Sequence, residues 1–123
     1  MRWIAVALLL TCCESSKESV AEHRYATECI LEEMAEHLGH VESAADFSAL
    51  SPQLESDYLR LAKELAALHR LGAIAPATES TQLLQTKERI YEHLERIREM
   101  EGGVEWLRTV QRAAHTFLID IEP

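Results

Sequence analysis

In four stretches of this 123-residue chain, apolar side chains return every three or four residues, and that period admits one kind of local structure. Thr27, Leu31, Met34, Leu38, Val41 and Ala45 step by four and three, with Ile30 widening the stripe. Leu54, Tyr58, Leu61, Leu65 and Leu68 repeat the pattern. Leu83, Ile90, Leu94 and Ile97 form a third seam, and Leu107, Val110, Ala114, Phe117 and Ile121 a fourth. Steps of three and four keep side chains on one face of a helix, whereas a half-buried strand alternates by two. No alternation by two competes with them.

The punctuation between the seams sets helix ends. The spacing predicts a first helix over 17–47, with Gly39 as the place where it bends or breaks. Ser51-Pro52 reads as the start of the second, because serine caps free amides and proline suits the first helical position. Gly72 is the expected stop, followed by a loop over 72–78. Thr78 or Ser80 caps the third helix, and Gly102-Gly103 ends it with a tight reversal. Three of the helices run roughly 18 to 23 residues, about 27 to 35 Å at 1.5 Å per residue. Matched lengths and short connections predict an all-α fold, an antiparallel up-down four-helix bundle. The alternative is a helical hairpin that completes its core by dimerisation.

Composition restricts the partners. Apolar residues make up 47% of the chain, so a core is available. The 21 acidic and 12 basic residues leave a net charge of −9. Nucleic acid requires clustered lysine and arginine to displace counterions, and an anionic membrane surface selects the same feature. The folded part is therefore expected to bind neither.

The N-terminus carries a different signal. Arg2 precedes eleven uncharged residues, Trp3 to Cys13 (WIAVALLLTCC), and the polar run Glu14 to Ser19 follows. A bilayer-spanning helix needs about 20 residues, so this run is too short to cross and suits the hydrophobic region of an export signal. Its end, Leu9-Leu10-Thr11-Cys12, resembles the lipobox of bacterial lipoproteins. The resemblance implies cleavage before Cys12, a diacylglycerol on the Cys12 thiol, and attachment to a membrane of the bacterial cell envelope, facing the periplasm or the exterior. It also implies the domain plan: residues 1–11 as signal peptide, 12–19 as flexible tether and 20–123 as the helical bundle. An ordinary secretory signal and a helix retained in the fold stay open as alternatives.

Candidate site residues concentrate on the first helix. Glu28, Glu32 and Glu36 stack like charge at intervals of four, an acidic face suited to a basic protein partner. Glu33, Glu36, His37 and His40 carry carboxylate and imidazole groups at offsets that can converge on zinc or copper. The same offsets equally describe a solvated helix face. Cys13 and Cys29 remain as a possible disulfide if Cys12 is acylated. The chain has no CxxCH motif, no HExxH and no glycine-flanked serine, so neither a cofactor nor catalysis is expected. The expected role is a protein-interaction or accessory module on a membrane anchor; the alternative is a periplasmic metal-binding bundle.

Overall fold

The computed structural model describes residues 16–72 and 79–121. They form four helices: α1 (Ser16–Gly39), α2 (Ala44–Arg70), α3 (Thr81–Arg98) and α4 (Gly103–Ile121). No strand occurs among the described residues, and no helix there is long and apolar enough to cross a membrane. The fold is a compact four-helix bundle. The lipobox, Cys12, Cys13 and most of the loop over 72–78 lie outside the described residues.

Most helix ends fall where the punctuation places them. Gly72 and Gly102 adopt φ of 77° and 82°, a region open to glycine and strained for other residues. The Ser80 side chain accepts from the Leu83 amide at 3.1 Å and caps α3. One boundary differs. The first helix stops at Gly39, and α2 starts at Ala44, well before Ser51-Pro52. Ser43 accepts from the Asp46 amide at 3.2 Å, and the Asp46 carboxylate accepts from the Glu42 amide at 3.0 Å. That reciprocal cap satisfies two amides and starts the helix eight residues ahead of the proline. Ala45 and Phe47 thus belong to α2, and Pro52 lies inside it on an exposed face.

The chain runs up and down. Contacts from His23 to Glu64, Glu33 to Arg60 and His37 to Asp57 set α1 antiparallel to α2. Gln82 reaches Glu32 while Arg96 reaches Leu38 and Val41, so α3 runs parallel to α1. Phe47 stacks on Trp106 with centroids 5.3 Å apart, and Lys63 lies 5.9 Å over Phe117, which sets α4 parallel to α2. Around the ring, α1 touches α2 and α3, while α4 leans on α2 and only lightly on α3. The diagonal pair α2 and α3 is joined by the ten residues 71–80. At up to about 3.3 Å per residue such a linker easily crosses a bundle diagonal of roughly 14 Å.

All four helices contribute to one core: Met34, Leu38, Val41, Phe47, Leu54, Ile90, Ile97, Leu107 and Val110 are buried together. It sits at the upper end, beside the α1–α2 and α3–α4 turns, and closes within a single chain. Each such aliphatic side chain contributes roughly 1.5 to 3 kcal/mol on burial. Arg96 closes the top of α1: its guanidinium donates to the Val41 carbonyl and, at 3.1 Å, to the Leu38 carbonyl. A cation there also opposes the negative end of the α1 dipole.

Candidate functional site

Two features of the structure go beyond packing. The first is a polar ladder between α1 and α2. Asp57 is only 2% exposed, and its Oδ2 accepts from His37 Nδ1 at 2.6 Å. Arg60 donates to Glu33 at 2.9 Å and stands 3.9 Å from the other Asp57 oxygen. Lower on the same two helices, His23 Nδ1 meets Glu64 at 2.5 Å. A carboxylate this deep requires partners, since an unpaired buried charge is strongly unfavourable. The ladder fixes the register of α1 on α2.

This arrangement places the four candidate metal ligands on different neighbours. Glu33 belongs to Arg60 and His37 to Asp57. Glu36 lines a hollow shared with Arg89 of α3, and His40 is exposed beyond the end of α1. Among the described residues no group of three or more His, Cys, Asp or Glu side chains is placed to hold a metal ion. The acidic row lies along the α1–α3 seam. Glu32 accepts from Gln82 at 2.9 Å, Glu36 faces the hollow with Arg89, and Glu28 turns toward the groove described next. Cys29 is half-buried and free, beside Tyr25, whose phenol it pushes up through a hydrogen bond and charge repulsion. Cys13, its possible disulfide partner, lies outside the described residues.

The second feature is an open groove of about 650 Å³ below the core. Leu31 and Met34 of α1 form its floor; Leu61, Leu65 and Leu68 of α2 form one wall, and Leu83 and Leu94 of α3 the other. No residue of α4 lines it. The reason is geometric: α4 follows α2 and barely touches α3, so the fourth side of the bundle is not filled at this level. Met34 and Ile90, both nearly inaccessible, close the upper end together with Tyr58. Burial pushes the Tyr58 phenol up, and its oxygen accepts from Gln111 at 3.2 Å. Arg24 and His69 stand at the lower end, and Glu28, Glu79 and Lys87 also line the groove, with Lys87 and Glu79 paired at 2.6 Å. Leucine walls with a few polar groups at one end are what a small-molecule site of 300 to 1,000 Å³ generally offers.

The sequence placed Leu61, Leu65 and Leu68 on a closed seam; the structure leaves Leu65 49% exposed on the groove wall. Asp57 lies outside the candidates that spacing on α1 suggests, although its position carries a signal. It stands three residues after Leu54 and four before Leu61, so the helix aims a carboxylate along the apolar stripe. Compared with known proteins, the chain matches no family model, no curated protein and no solved structure.

Proposed function

We propose that this chain is a lipid-anchored protein of the bacterial cell envelope whose helical bundle works as a non-catalytic binding module. The observation that carries the module is the leucine-walled groove between α1, α2 and α3, open to solvent and closed at its upper end by Met34 and Ile90. A leucine-walled surface that the described residues leave uncovered forgoes the stabilisation that a fully packed bundle gains, which supports a role in binding. The anchor rests on Leu9-Leu10-Thr11-Cys12 and on the polar run that joins it to α1.

The test is expression of the full chain in a Gram-negative bacterium, followed by membrane fractionation of the natural sequence and of Cys12→Ser. The proposal expects the natural chain in the membrane fraction with incorporated labelled palmitate, and no label in the variant. Equal labelling of both, or no label in either, refutes the anchor.

A further inference from the structure

We infer that the groove holds a single-chain zwitterionic phospho-amphiphile of the lysophospholipid class, tail upward against Met34, Ile90 and Leu94 and head at the end marked by Arg24. Three observations carry this.

The groove is closed by apolar side chains at its upper end and bounded by Arg24 and His69 at its lower end. From Arg24 to Met34 it runs ten residues of α1, roughly 15 Å. An extended hydrocarbon chain advances about 1.25 Å per carbon, so about a dozen carbons fit that length. A volume of about 650 Å³ accommodates one such chain with part of its head, but no diacyl lipid and no entire helix.

The charges of the groove are balanced in a chain that is not. Acidic residues outnumber basic ones 21 to 12 overall, yet Arg24 and Lys87 match Glu28 and Glu79 here, with His69 beside them. Arg24 and Glu28 are one turn apart on α1. A guanidinium binds phosphate through paired hydrogen bonds, and a carboxylate one turn away suits the ammonium of the same head. A purely anionic head would face both glutamates, and a purely cationic one both basic side chains.

The lower end is also the end nearest the N-terminus. Arg24 lies eight residues, about 12 Å, above the start of α1 at Ser16. Cys12 is four residues before Ser16, a reach of at most about 13 Å. This third observation rests on the anchoring proposed above; it opens the groove toward the membrane surface, where single-chain amphiphiles partition. The first two do not depend on it.

The experiment uses the full chain in phosphatidylcholine vesicles and a lauroyl lysophosphoethanolamine carrying a diazirine at the tail end. After illumination, cross-links are mapped by peptide mass spectrometry. The expected result is labelling concentrated in the peptides that contain Met34, Tyr58, Ile90 and Leu94. Leu65→Glu, at a half-exposed wall position, introduces a charge beside the tail and is expected to cut the yield by about tenfold or more. Arg24→Glu removes the phosphate contact at the rim and is expected to cut it by about threefold or more. Helical circular dichroism of both variants is expected to match the natural chain, and Arg24→Glu serves alone if Leu65→Glu loses helix. The lauric acid analogue, without the ammonium, is expected to label more weakly. Labels scattered over exposed faces, or yields unchanged in Arg24→Glu, overturn the inference. Cys12→Ser separates the two proposals: groove labelling that survives in it supports the site even if the anchor fails, and loss of groove labelling in the natural chain defeats the site whatever the anchor does.

Discussion

Removing the imidazole of His37 exposes the energetic logic of the α1–α2 ladder. Asp57 is 2% exposed, so its carboxylate cannot regain water when His37→Ala takes away the 2.6 Å hydrogen bond. Breaking a buried pair by deleting one partner generally costs about 3 to 5 kcal/mol. Arg60 moderates this, because it stands 3.9 Å from Asp57 Oδ1, but it is 48% exposed and already bonded to Glu33. The expected loss is therefore about 2 to 3 kcal/mol, at or below the low end of that range. With an m-value of about 1.5 kcal/mol/M for a domain of this size, the urea midpoint falls by about 1.3 to 2 M. His37 itself is 28% exposed and can turn to water, so Asp57→Ala is expected to cost less, about 1 to 2 kcal/mol. The double variant is expected to be more stable than His37→Ala alone, since it no longer holds an orphaned buried carboxylate. Urea unfolding at pH 7, followed by circular dichroism, measures all four proteins. A His37→Ala loss below about 0.5 kcal/mol, or a double variant with the summed loss of both singles, refutes the reasoning.

Three further outcomes follow from local geometry. A Cβ added at Gly103 would sit 1.7 Å from the Ile97 carbonyl oxygen, so Gly103→Ala must displace backbone; it is expected to cost at least about 3 kcal/mol, against about 1 to 2 for Gly102→Ala, where the positive φ and a 3.1 Å approach to the Trp106 indole nitrogen oppose it but only a side chain has to give. Calorimetric melting of both variants checks that order. Pro52→Ala restores the helical hydrogen bond to the Ser48 carbonyl at an exposed position and is expected to stabilise by about 1 to 2 kcal/mol once the freer unfolded chain is allowed for; an unchanged or lower urea midpoint counts against it. Desolvation, then Arg96 and Arg89, hold the His93 imidazole below its ordinary 6.5, and its Nδ1 accepts from Arg96 at 3.3 Å. Between the folded value and 6.5 the unfolded chain binds the proton more readily, so stability falls as pH drops through 6.5 and the loss levels off below the folded value. His93→Gln is expected to flatten that part of the stability profile; a steeper acid loss in the variant contradicts the sign.

The sequence conveyed what depends on period and local capping. Met34, Leu38 and Val41, Ile90 and Ile97, and Leu107 and Val110 all lie in the core their spacing indicates. Gly72, Ser80 and Gly102 mark ends for reasons contained within a few residues. The α1–α2 boundary shows the limit of local signals that compete. Ser51-Pro52 and Ser43 to Asp46 both resemble helix starts, and the reciprocal cap with Glu42 decides between them. The ladder was illegible because each rung joins residues 20 to 41 positions apart; nothing in the neighbourhood of His37 names Asp57. The groove was hidden for a related reason. Leu65 looks like core until the ring order of the helices is known, and that order leaves it half-exposed on the groove wall while Leu68 is buried as its spacing indicates. Glu33 and His37 drew attention as ligands because spacing on one helix is visible, whereas the arginine and aspartate that engage them lie on another.

The most direct test of the account is the intact mass of the full chain extracted from bacterial membranes. The lipid-anchored reading predicts one dominant species that begins at Cys12 and carries a diacylglycerol with or without a further acyl group, with residues 1–11 removed. A species that retains Met1 with an unmodified Cys12 contradicts it.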